Sequence, residues 1–189
     1  MARSNENCKD EEAVNEPKTG DIDNTRKSEL KCFYANVRSI IDIEKRMELE
    51  LYVDKEEPDI IGLTETWAKE EIADSELALD GYVMFRKDRE NQTARGYGGV
   101  LLYVKNNITA VQRKDIWSDK FKECVWCEIQ TGKARMLIGV CYRPPSAKDE
   151  VDDGLWEIIE KASKETMVMI GDFNYHITLV TMTYTKMKI

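Results

Sequence analysis

Pro58-Asp-Ile-Ile-Gly-Leu-Thr-Glu-Thr-Trp67 is the stretch on which the fold turns. Pro58 closes whatever helix precedes it and leaves the chain extended. Asp59 to Leu63 then reads as a short buried strand, as strands in α/β sheets do, and it stops abruptly at Glu65. The same pattern recurs three times. Cys32-Phe-Tyr-Ala leads to Asn36, Met136-Leu-Ile-Gly-Val-Cys leads to Tyr142-Arg143, and Met167-Val-Met-Ile-Gly leads to Asp172 and Asn174. Between these runs, Ile40, Ile43, Met47 and Leu51 fall at spacings of 3, 4 and 4, which predicts one buried face of a helix. Val151, Leu155, Ile158, Ile159 and Ala162 predict a second. Tyr82–Arg86 with Gly98–Lys105, and Glu123–Gln130 with Ala134–Tyr142, predict antiparallel pairs, the latter turning at Thr131-Gly132-Lys133. The sum is a mixed α/β pattern with more strands than helices.

Composition sets the bounds. In 189 residues, 42% hydrophobic side chains suffice for a core, and 34% charged residues with a mean hydropathy of −0.54 indicate a soluble chain. No apolar run approaches the roughly 18 residues that a membrane span needs, so no membrane partner is expected. The stretch Met1 to Pro17 has no signal-peptide character. Five scattered cysteines, an odd number, predict reduced thiols and an intracellular location rather than a disulfide framework. Residues 1–30 carry net charge −3 and no aromatic side chain, which predicts a disordered acidic segment. Residues 31–177 are expected to form a partial domain, and 178–189 a divergent, threonine-rich tail with room for one strand. Residues 31–174 carry net −7, whereas a protein gripping duplex DNA mainly by phosphate neutralisation would be basic. Any nucleic-acid role must rest on a local basic patch or on metal ions held by carboxylates.

Ligand sites in open α/β sheets lie at the carboxyl ends of strands, so the four polar tips could converge. Two carboxylates and two amides are hard oxygen donors of the kind Mg²⁺ takes, although solvated strand ends would show the same spacing. The wording of the tips is more specific. Asn36-Val-Arg-Ser39, Pro58 to Trp67, Gly98-Gly-Val-Leu-Leu-Tyr-Val104, Cys141-Tyr-Arg-Pro-Pro145 and Gly171-Asp-Phe-Asn174 occur in that order. The series resembles the endonuclease/exonuclease/phosphatase superfamily, in particular the endonuclease domain of jockey-like non-LTR retrotransposons, from about Lys31 to His176. The resemblance implies a two-sheet α/β sandwich of the DNase-like type, incomplete in its C-terminal half. It implies Mg²⁺- or Mn²⁺-dependent hydrolysis of DNA phosphodiesters, a reverse transcriptase domain in the parent element, and a nuclear location for an enzyme acting on genomic DNA. It assigns Glu65 and Asn36 to the metal, Tyr142 to the scissile phosphate, Asp172 to the attacking water and Asn174 to a phosphate oxygen. Arg38, Arg89 and Arg143 become candidate substrate contacts.

The family pattern also asks for a late Asp and a Ser-Asp-His triplet. The single histidine, His176, follows Asp172 by four residues without a preceding Ser-Asp, and reads as a loop residue. Activity of the chain as it stands is therefore expected to be impaired, and the rival reading is a non-catalytic remnant or binding module that keeps the scaffold. Other features are weaker. Cys124-Val-Trp-Cys127 in a strand would point its thiols to opposite faces, so a shared metal is not expected. Arg86-Lys-Asp-Arg89 and Arg95 flank a polar loop and suit either a DNA backbone or water. Gly96-Tyr-Gly-Gly99 lacks the Lys-Ser/Thr and helix of a phosphate loop, and Trp67 and Trp117 read as packing residues.

Overall fold

The computed structural model describes residues 29–89, 97–175 and the backbone of 186–188. Arg95, His176, most of the acidic N-terminal segment and most of the tail lie outside the described residues. The chain builds two β-sheets packed face to face with helices on both outer faces. One sheet holds β1 (Glu29–Asn36), β2 (Ile60–Thr64), β3 (Tyr82–Lys87), β4 (Val100–Lys105) and β9 (Lys186–Lys188), in the order β3-β4-β2-β1-β9. The other holds β5 (Thr109–Gln112), β6 (Cys124–Thr131), β7 (Ala134–Tyr142) and β8 (Met167–Asp172), in the order β5-β6-β7-β8. The pairs β1–β2 and β7–β8 are parallel, and the rest are antiparallel. The expected two-sheet α/β sandwich is thus the observed fold.

Strand alternation divides the apolar residues among three cores. Ile60, Val100, Leu102, Val104, Val125, Cys127, Ile138 and Val140 fill the space between the sheets. Ile61, Leu63, Leu101 and Tyr103 point the other way, under α1 (Ile43–Glu56) and the short α2 (Asp74–Leu77). Trp126, Leu137 and Cys141 lie under α3 (Asp149–Ala162), which buries Leu155, Ile158 and Ala162 as its spacing predicts. The central strand β2 is buried at all five positions because it has sheet neighbours on both sides and a layer on both faces.

Helix α1 corrects the sequence expectation. Ile43, Met47 and Leu51 do not cover the sheet; they are 57%, 55% and 69% exposed, and Leu49 and Val53 are buried instead. Ile40, which began the apparent repeat, precedes the helix, whose N-cap is Asp42 accepting from the Glu44 N–H at 3.0 Å. The phase is set by polar and aromatic anchors. Arg46 reaches the Glu76 carbonyl at 2.6 Å, Lys45 reaches Val37 O at 3.0 Å, and the Tyr52 ring lies 4.2 Å from that of Phe33. With those three side chains turned inward, the 43-47-51 stripe must face outward.

Three smaller differences also have physical causes. β1 begins at Glu29 rather than Cys32, because Glu29–Lys31 pair with β9. α2 and β5 have too few apolar residues to show a period of their own. Trp117 is 55% exposed and is not a core residue. No helix among the described residues is long and apolar enough to cross a membrane.

Candidate active site

Both parallel pairs end on the same side of the sandwich, and this brings the expected tips together. The Asn36 amide, at the end of β1, donates to Asp172 Oδ2 at 2.9 Å, linking the last residues of strands in different sheets. The other Asp172 oxygen accepts from the Asn174 N–H at 3.1 Å. Asn174 Nδ2 donates to Arg143 O at 2.8 Å, so the Gly-Asp-Phe-Asn turn is tied to the end of β7. Gly171 is required there, since a Cβ would lie 1.9 Å from Cys141 O.

Glu65 follows β2 with φ of 56°, a left-handed conformation. Its Oε2 accepts from the Trp67 indole N–H at 2.6 Å and from the Gly98 N–H at 3.1 Å, and its Oε1 accepts from the Tyr142 hydroxyl. Six non-glycine residues among those described have positive φ. Five of them, Arg38, Ser39, Glu65, Trp67 and Asn174, lie at these strand tips, where strain of roughly 1–3 kcal/mol per residue is held by the surrounding ladders. Ser39 N–H to Glu65 O at 2.8 Å and Ile40 N–H to Thr66 O at 2.9 Å are two of those restraints.

Sequence reasoning missed two supports. Tyr34 shares a hydrogen bond with Thr64 Oγ1 at 2.8 Å, and burial, reinforced by the Asp172 and Glu65 carboxylates, pushes its hydroxyl far above the ordinary tyrosine range. It stays neutral beside two carboxylates. The other is Glu123, 7% exposed, which accepts from Gly99 N–H and Arg89 Nε, both at 2.7 Å. Burial raises its carboxyl above the ordinary value, against the pull of those donors. The Glu123 carbonyl accepts from Tyr142 N–H at 2.9 Å, so one residue braces both the Gly98-Gly99 turn and Tyr142. A charge at the head of the apolar Cys124-Val-Trp-Cys127 strand was the available signal.

The arginines part company. Arg89 pairs with Glu123 and stands 5.7 Å above the Tyr142 ring, within the site. Arg143 is spent on Asp152, at 2.6 and 3.1 Å, with its guanidinium 4.6 Å from the Tyr175 ring. Arg38 is exposed at the rim. Trp67, read as a packing residue, is a hydrogen-bond donor to Glu65. Cys124 and Cys127 do face opposite sides of β6, one toward α3 and the other between the sheets.

A divalent ion suits these donors in one way only. Among the described residues no group of three or more His, Cys, Asp or Glu side chains is placed to hold a metal. Mg²⁺ does not need such a cage, because it takes one or two carboxylates and fills its shell with water and phosphate oxygens. Glu65 supplies a carboxylate whose Oε1 keeps a lone pair beyond its bond from Tyr142, Oε2 being taken by Trp67 and Gly98, and the Asn36 carbonyl oxygen lies at the same strand tips.

Residues 33–186 match the family model described as the Endonuclease/Exonuclease/phosphatase family. The chain has no match among curated proteins. Solved structures similar to it include the endonuclease domain of TRAS1, a telomere-specific non-LTR retrotransposon, at 15% identity and TM-score 0.58, covering 79% of this chain and 61% of that one. The AP endonuclease LMAP from Leishmania major matches at 18% identity and TM-score 0.59, covering 77% and 55%. TDP2 from D. rerio, complexed with single strand DNA product, matches at 11% identity and TM-score 0.53, covering 79% and 62%. The chain therefore spans about 55–62% of the length of these three structures.

Proposed function

Because the chain belongs to the Endonuclease/Exonuclease/phosphatase family, we propose that its strand-tip site serves divalent-metal-dependent hydrolysis of phosphodiesters in DNA, as part of a retrotransposon-derived endonuclease acting in the nucleus. The observation that carries this is the meeting of Asn36 with Asp172 and of Tyr142 with Glu65, four residues from four strand ends in two sheets. Solvated strand ends have no reason to converge pairwise.

Each side chain has a task suited to its surroundings. Asp172, its two oxygens fixed by Asn36 and Asn174, orients a water and accepts its proton. The neutral Tyr34 hydroxyl and the Asn174 amide offer hydrogen bonds to phosphate oxygens without adding negative charge, while the Tyr142 hydroxyl, whose proton goes to Glu65, fixes that carboxylate beside the phosphate. Arg89, above Tyr142, supplies a positive charge toward the phosphate. Glu65 with Asn36 would hold Mg²⁺ or Mn²⁺. That ion, when bound, neutralises charge building on the phosphate and its leaving oxygen.

Among the described residues, the late Asp and the Ser-Asp-His triplet that the superfamily resemblance calls for have no counterpart at these tips, so slow turnover is expected of the 189-residue chain. The test is nicking of supercoiled plasmid with Mg²⁺ or Mn²⁺, with chelator, and with Glu65→Gln and Asp172→Asn. Weak, chelator-sensitive nicking lost in both variants is expected. Nicking that survives chelation or either substitution refutes the assignment. A well-folded chain that cleaves nothing favours a scaffold retained for binding.

A further inference from the structure

Strands β6 and β7 carry a pair of thiols that the site does not use. Cys124 and Cys141 stand directly opposite in the antiparallel register. The next rung is hydrogen-bonded, Tyr142 N–H to Glu123 O at 2.9 Å. Hydrogen-bonded and open rungs alternate, so 124–141 is an open rung, with Cα atoms about 4.5 Å apart and both side chains on one face. A disulfide spans Cα separations of about 4.4–6.8 Å, so this rung can be bridged without moving the backbone.

The two thiols have different surroundings. Cys141 is fully buried under α3. Cys124 is half-buried and lines a cavity of about 540 Å³ that also presents Lys114, Arg113, Lys122 and Trp117. The hydrogen bond with Cys141 outweighs burial and holds the Cys124 thiol below its ordinary range, helped by the charges of Lys87 and Lys161. Burial pushes Cys141 well above that range. Cys124, the thiol at the cavity wall and the one held low, is the nucleophile of the pair.

We propose that Cys124 and Cys141 form a peroxide-oxidisable dithiol that closes to a disulfide across the β6–β7 hairpin. Cys124 thiolate attacks a hydroperoxide oxygen: the S–O bond forms, the O–O bond breaks, and hydroxide or alkoxide leaves to take a proton. The Cys141 sulfur then attacks the sulfenic sulfur of Cys124. The S–S bond forms, the S–O bond breaks, and the departing hydroxyl carries the Cys141 proton away as water. Two thiols are oxidised by two electrons, and one peroxide is reduced. The other described cysteines are unsuited. Cys32 and Cys127 are pushed up to about 12 by burial, and they face Ile60 and Ile138 across their ladders.

The experiment treats the full chain carrying Cys8→Ser with stoichiometric H₂O₂ under native conditions, then counts thiols and maps peptides by mass spectrometry. The expected result is loss of two thiols, a mass decrease of about 2 Da and a Cys124–Cys141 linked peptide. That peptide should persist in Cys32→Ser and Cys127→Ser, and vanish in Cys124→Ser and Cys141→Ala. Mapping of the chain with both cysteines decides the matter even where a core substitution unfolds it. Retention of all thiols, over-oxidation of Cys124 without the link, or equal linkage to Cys32 or Cys127 would overturn the proposal. So would equal yield from the urea-unfolded chain, since the fold would then play no part.

Discussion

Replacing Gly98 by alanine is expected to destabilise the chain by about 2.5–4 kcal/mol and to loosen Glu65, from two separable effects. At φ of +95° an L side chain is strained by roughly 1–2 kcal/mol. A Cβ there would also lie 2.4 Å from Glu123 Oε2 and 2.5 Å from Arg89 Nε, so the pair must separate. Hydrogen bonds to charged groups contribute about 1.5–3 kcal/mol, and the lower half applies because the Arg89 side chain is 28% exposed and water can replace part of the loss. Gly81→Ala is the control. Its φ of +81° carries the same strain, but nothing lies within 4 Å of the added carbon, so about 1–2 kcal/mol is expected. Urea unfolding followed by tryptophan fluorescence gives both values if the m-values agree. The Trp67 indole N–H resonance reports Glu65 independently, since it donates to that carboxylate at 2.6 Å. Equal destabilisation by the two substitutions, or an unmoved Trp67 resonance in Gly98→Ala, would refute the coupling of the glycine turn to Glu65.

Three further outcomes are expected. Leu49→Ala should lower stability by about 2–4 kcal/mol and Met47→Ala by less than about 0.5, and the opposite ranking in urea unfolding would restore the 43-47-51 face to the core. Because burial raises Glu123 above 4.5, the folded chain binds more protons than the unfolded one just above that pH, and stability should decline as pH rises through the raised value. Glu123→Gln should flatten that decline, and an unchanged slope of urea midpoint against pH would remove Glu123 as its source. Arg143 holds the Asp152 carboxyl below 3.8, so the pair's contribution is present above 3.8 and lost as pH falls through the lowered value. Asp152→Asn should reduce the acid sensitivity of the urea midpoint while lowering that midpoint near neutrality.

The parts of the site that were legible in sequence are those written next to a strand. Asn36, Glu65, Tyr142 and Asp172 each follow an apolar run, and parallel pairing of β1 with β2 and of β7 with β8 sends those run ends the same way. Glu123 and Tyr34 were not legible. Glu123 opens a strand rather than closing one, and its partners Arg89 and Gly99 are 34 and 24 residues distant. Tyr34 lies within β1 and looks like any half-buried aromatic until Thr64 is placed beside it.

The sequence by itself determined the α/β class, nearly every strand, the polar tips and the amphipathic face of α3, because these depend on local alternation and on where apolar runs stop. Tertiary structure alone decided which face of α1 is buried, since Ile43, Met47 and Leu51 carry as good a helical period as any core stripe. Anchors from elsewhere in the chain, at Glu76, Val37 and Phe33, rotate the helix away from it. Tertiary structure also decided that Arg143 faces Asp152 while Arg89 stands over Tyr142, and that Cys124 meets Cys141 rather than its sequence neighbour Cys127. Those outcomes depend on pairing register and layer stacking, which join residues far apart in the chain and leave no periodic trace along it.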